Sequence, residues 1–247
     1  MTTPLVLDEA HFQVLQNIRW TPYGAEGLMP ISWADLVLNQ WQEFDPPLPR
    51  RRMSRSDLRA YCQAPNTSAM HAFIAIMAWG GQQPWSDKYR KDLQKKQDDI
   101  RVWMAQLRQG MPRADAYELW KGKVWGLGPS FITKLLAFTC SKGDMAIMDQ
   151  WAVKAVNLLY GREVIRLAGT APNVSPCGST TGQDYDDYCR HLEDLQCRLG
   201  EKSLSDTEER IFSRRGEGGK ETWRDHVEKN WKPPERKRRR PRLASEA

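Results

Sequence analysis

The stretch that decides the fold is Val124-Trp125-Gly126-Leu127-Gly128-Pro129-Ser130. Helix-compatible residues precede it over 116–120, and residues 131–138 follow it with an apolar face at helical spacing. The two glycines allow a sharp turn and leave backbone amides uncovered by side chains. Proline at the next position is tolerated in the first turn of a helix. The stretch therefore predicts two helices joined by a Gly-x-Gly turn, where amides at the start of the second helix can hold a phosphate.

An aspartate follows this turn after one more predicted helix. Asp149 lies nineteen positions after Ser130 and directly after the apolar segment 146–148. An aspartate at the start of a helix is an ordinary N-cap, and without the turn this would be the preferred interpretation. A carboxylate at such a position can also stabilise positive charge that develops on a sugar. The two roles are compatible with each other.

Together, the turn and the spaced aspartate resemble the helix-hairpin-helix DNA glycosylase superfamily, in particular its 8-oxoguanine glycosylase-like branch. The hairpin of that family reads Leu-Pro-Gly-Val-Gly, and an apolar-x-Asp segment follows after one helix and a loop. The match at the level of motifs covers residues 116–157, and a looser all-helical similarity covers residues 55–200. The resemblance implies an all-α fold, extrusion of a base from DNA, and Asp149 as the catalytic carboxylate.

Three positions depart from the family pattern. Trp125 replaces the hairpin proline, and Trp151 stands where a histidine often follows the catalytic aspartate. Ser130 occupies the position of the nucleophilic lysine of bifunctional members, so a Schiff-base lyase step lacks its usual amine. Lys134 lies one helical turn further on and is an alternative amine, although we interpret it as a solvated or phosphate-facing lysine. The resemblance thus implies a monofunctional glycosylase, with an abasic-site lyase using Lys134 as an alternative.

The resemblance also assigns binding roles to the hairpin. The backbone of the turn and of the first residues of the second helix would contact DNA, which concerns Gly126, Leu127, Gly128 and Ser130. In the family, carbonyl groups of this turn hold a monovalent cation, and the matching positions are Gly122, Val124 and Leu127. No other cofactor is expected. A non-catalytic DNA-binding module that uses the hairpin as a clamp is the alternative from a different functional class.

Several side chains are candidates for contact with an extruded base, because stacking is how such a base is held. The aromatic candidates are Trp151, Trp125, Trp79 and Trp20. A loop in the early helical region supplies the gap-filling side chain in the family, and the candidates there are Gln82, Gln83 and Trp85. Packing in the core is the competing interpretation for each aromatic residue, and solvation for the glutamines.

Composition and charge narrow the class of protein. The chain has 247 residues, of which 40% are hydrophobic, and its formal net charge is +6. Residues 210–247 hold thirteen Lys/Arg and six Asp/Glu, a balance of +7, which leaves −1 for the rest. The run over residues 236–242 suits phosphate backbones, while a solvated tail is the alternative. We therefore expect DNA as the partner of a monomeric protein.

The sequence lacks signs of membrane insertion and of a metal cluster. The sequence contains no apolar run of about eighteen residues, so we expect no transmembrane helix. Its first residues show no signal-peptide pattern. Five widely spaced cysteines are typical of reduced thiols in a cytoplasmic protein, and no iron–sulfur cluster is expected. They are Cys62, Cys140, Cys177, Cys189 and Cys197.

The predicted organisation is one helical domain with two flanking segments. Residues 1–53 are interpreted as an N-terminal extension, 54–200 as the helical domain with its hairpin at 116–138, and 201–247 as a polar, basic C-terminal tail. One helical pattern covers residues 88–108, and residues 168–182 are expected to form a loop. The substrate suggested by the resemblance is 8-oxoguanine or a bulky modified phage base, in repair or in antiviral defence.

Overall fold

A computed structural model describes residues 5–21, 26–38, 47–81, 86–140, 144–170, 173–213 and 222–233. Over these ranges the chain forms twelve α-helices and one two-stranded antiparallel sheet, which confirms the predicted all-α class. Within the same ranges, no helix is long and apolar enough to cross a membrane. In chain order the elements are α1 (Glu9–Asn17), α2 (Pro30–Val37), α3 (Arg55–Gln63), α4 (Ala69–Trp79), α5 (Asp87–Lys95), α6 (Gln97–Gln109), α7 (Arg113–Trp120), α8 (Pro129–Thr139), α9 (Gln150–Leu159), β1 (Leu167–Thr170), β2 (Asn173–Pro176), α10 (Gly182–Leu199), α11 (Leu204–Phe212) and α12 (Trp223–Asn230).

Helix α4 forms the centre of the core. Every residue from Met70 to Ala78 is buried, as expected for a helix that is apolar on all sides. Ser68 caps its N-terminus by accepting a hydrogen bond from the amide of His71 at 3.1 Å. Helices α2, α3, α6 and α8 pack around it. The second helix of the predicted hairpin, α8, therefore lies directly on the core.

Both flanking segments contribute helices to this core. The buried apolar residues of α1 and α2 and those of α11 and α12 belong to one continuous cluster with α4 and α8. They include Phe12, Leu15, Trp33, Val37, Leu204, Ile211, Trp223 and Val227. The domain boundaries at residues 53 and 200 stay predictions. The basic run over 236–242 lies outside the described residues.

The pattern over residues 88–108 forms two helices rather than one. The break falls at Lys96, between α5 and α6. The ammonium of Lys96 lies 3.0 Å from Asp92 and also donates a hydrogen bond to the carbonyl of Lys123 in the hairpin turn. No glycine or proline stands at this position, and the helical periodicity does not reveal the break. The break coincides with the contact between Lys96 and the hairpin turn.

The predicted loop over residues 168–182 was wrong in its first half. Strands β1 and β2 pair antiparallel, with Leu167 opposite Pro176 and Thr170 opposite Asn173. Each strand has four residues, and Gly169 and a terminal proline conceal the alternation that would identify them. A side chain at Gly169 would collide with the carbonyl of Asn173, and its φ of +112° is one that other residues rarely adopt.

Candidate active site

The predicted hairpin is present between α7 and α8. The turn spans residues 121–128, and its backbone is closed by a hydrogen bond from the amide of Leu127 to the carbonyl of Val124 at 3.2 Å. Gly122 and Gly126 adopt φ values of +69° and +80°, in the left-handed region that favours glycine. The two glycines thus account for the sharp reversal between the helices.

Gly128 has a different role from Gly126. Its φ of −82° is an ordinary value, and a Cβ added there would meet nothing within 4 Å. Its carbonyl accepts a hydrogen bond from the amide of Phe131 at 3.0 Å, so it is the N-cap residue of α8. The backbone does not require glycine at this position. What glycine provides is open space at the N-terminus of α8, beside Pro129 and Ser130.

The segment before Asp149 is buried and held by three side-chain hydroxyl groups. Tyr185 Oη donates to the carbonyl of Ala146 at 2.9 Å and accepts from the amide of the same residue at 3.1 Å. Tyr188 Oη donates to the carbonyl of Ile147 at 2.9 Å. On the other side, Thr133 Oγ1 of α8 accepts from the amide of Met148 at 2.9 Å. The segment is therefore fixed between α10 and the second hairpin helix.

Asp149 itself is the N-cap of α9. Its Oδ1 accepts hydrogen bonds from the amides of Trp151 and Ala152 at 2.8 and 2.9 Å. No hydrogen bond to Oδ2 is formed within the described part of the chain. The side chain is partly exposed and lines a cavity. The carboxylate thus caps the helix through one oxygen, which confirms the N-cap interpretation. The catalytic interpretation stays a prediction.

The cavity has a volume of about 400 Å³, within the range of small-molecule sites. It lies among α3, α4, α8, α9, α11 and α12. Three of its charged residues are acidic and three are basic, so the lining is polar but balanced in charge. The lining residues are Glu26, Arg55, Trp79, Gly80, Lys134, Ile147, Asp149, Glu208, Phe212 and Arg224.

Lys134 lines this cavity and is partly buried, so it is less solvated than an ordinary surface lysine. Its contact with a phosphate stays a prediction. Its ammonium lies 4.6 Å from the ring centre of Phe131. Burial lowers the pKa of Lys134 below that of an ordinary lysine, although Asp149 and Glu208 oppose this effect. Lys134 lies one helical turn after Ser130 on α8, and of these two residues only Lys134 lines the cavity.

Arg55 and Glu208 form a buried ion pair on one wall of the cavity. Their side chains are 8% and 1% exposed. Burial raises the pKa of the Glu208 carboxyl above its usual value, while Arg55 counteracts this. The sequence analysis missed both residues. A signal was present for Glu208, because residues 204, 207, 208 and 211 recur at helical spacing and are all buried. A glutamate at one of these core positions concealed the pattern.

The last helix brings a further cation to the cavity. Trp223 is buried and anchors α12, and the next residue, Arg224, lines the cavity. The guanidinium of Arg224 lies 4.7 Å from the ring centre of Trp151 and 4.6 Å from that of Phe212. It also donates a hydrogen bond to the carbonyl of Phe212 at 2.8 Å. No motif in the sequence indicated this role.

The aromatic candidates lie in different surroundings. Trp151 is not among the residues that line the cavity, since its ring packs against the cationic groups of Arg224 and Lys154, the latter at 4.2 Å. Trp125 is 45% exposed on the hairpin turn and does not line the cavity. Trp79 does line it, as does Phe212. The candidates Gln82, Gln83 and Trp85 lie outside the described residues.

Comparison with known proteins gives a match to a protein family. A family model described as "Putative 8-oxoguanine DNA glycosylase OGG-like protein" matches residues 3–212 of the chain. The matched region contains the hairpin, Asp149, Lys134 and the Arg55–Glu208 pair, and ends before α12. No curated protein and no solved structure matches the chain.

The buried ion pair should behave asymmetrically on mutation. Glu208→Ala leaves the Arg55 guanidinium buried without its partner, and we expect a loss of roughly 3–5 kcal/mol in unfolding free energy. The double variant Arg55→Met/Glu208→Leu removes both charges and should lie close to the wild type or above it. Urea denaturation of the three proteins measures this. A double variant as unstable as Glu208→Ala would show that the pair is a net source of stability.

Proposed function

Since this chain belongs to the family described as putative 8-oxoguanine DNA glycosylase OGG-like proteins, we propose that it is a monofunctional DNA glycosylase. It would extrude a modified or damaged base from the duplex and hydrolyse the N-glycosidic bond, leaving an abasic site. The observation that carries the proposal is the position of Asp149. This carboxylate lines a cavity of about 400 Å³ and is fixed to the second hairpin helix through the hydrogen bond between Met148 and Thr133.

The hairpin would grip the DNA backbone. Amides at the start of α8 are available for a phosphate beside Gly128, where no side chain intervenes. The carbonyl groups of Gly122, Val124 and Leu127 belong to the same turn, and such oxygens suit a monovalent cation, which would add positive charge near that phosphate. Extrusion of the nucleotide costs a few kcal/mol of unstacking and unpairing. The grip on the backbone and the contacts in the cavity would offset this cost.

The reaction would then proceed at Asp149. The bond between the sugar C1′ and the base nitrogen breaks, and its electron pair leaves with the base. The sugar becomes oxocarbenium-like, and the fixed carboxylate stabilises its positive charge. Water adds to C1′ and gives a proton to the carboxylate, which passes it to the departing base. The products are the abasic site and the neutral free base, and Asp149 is again ionised. Backbone amides hold Oδ1 in place, so Oδ2 would face the reacting centre.

The substrate would be a polar base, since the cavity presents both acidic and basic side chains. The two candidate substrates are 8-oxoguanine, with a role in repair, and a bulky modified phage base, with a role in antiviral defence. To decide between them, the protein is incubated with duplexes that each contain one modified base. Mass spectrometry then detects abasic strands and the released base. Release from one modified duplex and not from the unmodified control identifies the substrate.

A second candidate function is supported by the position of Lys134. An amine in the same cavity as the catalytic carboxylate, with a lowered pKa, has a larger neutral fraction than an exposed lysine. It could attack C1′ of the sugar, form a Schiff base with loss of water, and promote strand cleavage by β-elimination. Lys134 would then replace the lysine that Ser130 displaces, and the protein would be an abasic-site lyase as well as a glycosylase.

Replacement of Asp149 separates catalysis from helix capping. Asp149→Asn should lower excision by at least about 10³-fold, because the neutral amide cannot stabilise the cationic sugar. The helix should remain intact, since asparagine caps as well as aspartate, whereas Asp149→Ala should also lose about 1 kcal/mol of stability. Single-turnover assays measure excision, and melting curves measure stability. A DNA titration measures binding, which should be nearly unchanged in Asp149→Asn. Excision by Asp149→Asn at the wild-type rate would favour a different carboxylate.

The reaction products separate the two candidate functions. For a monofunctional enzyme we expect unbroken strands that carry abasic sites and are cut only by alkali. Borohydride should then trap no covalent complex. A trapped complex that disappears in Lys134→Ala but persists in Lys123→Ala would establish the lyase. In that case trapping should extend to a lower pH than an exposed lysine allows, because the pKa of Lys134 is lowered.

Gly128 provides a test of the backbone grip that does not disturb the fold. Gly128→Val should remain folded, since φ is ordinary and the added side chain meets open space. The melting temperature should fall only slightly, because valine is a poorer N-cap than glycine. It should weaken DNA binding at least several-fold, because the side chain covers the amides at the start of α8. Gly178→Val is the matched control, because Gly178 also has open space around its Cβ. Normal DNA binding by folded Gly128→Val would exclude the hairpin as the grip.

A further inference from the structure

A groove lies between helix α5 and the hairpin turn, apart from the cavity that contains Asp149. Its volume is about 400 Å³. Three lysines of α5 and the tryptophan of the turn line it together with two aspartates. The lining residues are Asp87, Lys88, Lys91, Asp92, Lys95 and Trp125.

The groove has a fixed shape, because hydrogen bonds connect α5 to the turn. The amide of Trp125 donates a hydrogen bond to Asp92 Oδ2 at 2.7 Å. Lys96 connects the same carboxylate to the carbonyl of Lys123. A Cβ at Gly126 would lie only 3.3 Å from the ring of Tyr89, so the turn and α5 are in close contact. A ligand in the groove would therefore be held in a defined position relative to the hairpin.

The groove carries an excess of positive charge. Its two acidic residues are paired with cations outside the lining, Asp87 with Arg90 and Asp92 with Lys96. Among the residues that the structure describes, no ion pair joins a carboxylate to any of the three groove lysines. All three are exposed: Lys88, Lys91 and Lys95. Their charges are thus available to an anionic partner.

The spacing of the lysines matches a nucleic acid strand. Lys88, Lys91 and Lys95 are separated by three and four residues, so they share one face of α5. From the first to the third, the helix rises about 10 Å. Three lysine side chains distributed over this length can each contact one phosphate of a strand that runs along α5, so the row suits about three neighbouring phosphates.

Trp125 adds an aromatic surface at the end of the row. It is 45% exposed, and the ammonium of Lys88 lies 4.7 Å from its ring centre. An exposed tryptophan next to lysines can contact the apolar face of a sugar while the lysines contact the adjacent phosphates. This gives a physical reason for a tryptophan at this position of the turn.

We propose that the groove between α5 and the hairpin turn is a further DNA-backbone site, which binds about three consecutive phosphates of the strand next to the hairpin. The proposal rests on the proposed function, because it assumes that DNA is the partner. It extends the DNA contact from the turn along α5. Contacts of this kind position the duplex and carry no sequence information.

The test is the salt dependence of binding to an unmodified duplex. The groove variant is Lys88→Gln/Lys91→Gln/Lys95→Gln. The matched control, with the same change in charge, is Lys202→Gln/Lys229→Gln/Lys232→Gln, whose lysines are exposed and do not line the groove. Fluorescence anisotropy titrations at several salt concentrations give the slope of log K against log salt. Melting curves verify that both variants are folded.

We expect the slope of the groove variant to be smaller in magnitude than that of the wild type by roughly 2 to 3, since each phosphate contact contributes about 0.9. The control should change by less than 1. Trp125→Ala should weaken binding and leave the slope unchanged. An unchanged slope in the groove variant, or an equal change in the control, would overturn the proposal, and the groove would then suit a different anionic partner.

This outcome is independent of catalysis. The unmodified duplex contains no base to be excised, so a reduced slope supports the groove even if every modified duplex is left intact. Conversely, excision with an unchanged slope would support the proposed function and reject the groove.

Discussion

The hydrogen bond between the amide of Met148 and Thr133 Oγ1 is the contact on which the geometry of the site depends. It joins the segment before Asp149 to the middle of α8, the helix whose first turn forms part of the hairpin. Two tyrosines of α10 hold the segment from the other side. The element that would grip DNA and the carboxylate that would act on it are therefore parts of one rigid unit. Neither can shift without disturbing buried hydrogen bonds to the backbone of residues 146–148.

The cavity shows how a core can contain several charges. Arg55, Lys134, Asp149 and Glu208 interact electrostatically with one another, and each positive charge has a negative neighbour. Charges that are removed from water are tolerated only when they are compensated in this way. The arrangement keeps the lining polar without a large net charge. A bound base would therefore meet donors and acceptors that are already held in place.

The sequence allowed the hairpin, the all-α class and the position of Asp149 at a helix start to be predicted, because these depend on local patterns. Glycines with positive φ and an apolar segment before a capping aspartate are visible over a few residues. The walls of the cavity were not predicted, since Arg55, Glu208 and Arg224 come from three distant helices. The surroundings of Lys134 were not predicted for a related reason: its spacing gave its place on α8, but only the packing of α11 and α12 shows that it lines a cavity.

The family match ends at residue 212, whereas the cavity is also lined by a residue beyond that point. Helix α12 lies beyond the match, is anchored by the buried residues Trp223 and Val227, and contributes one cationic wall residue, Arg224. The hairpin and the carboxylate belong to the shared part of the chain, and this wall belongs to the part outside it. A contact between a bound base and Arg224 would therefore depend on a helix that lies outside the region matched by the family model.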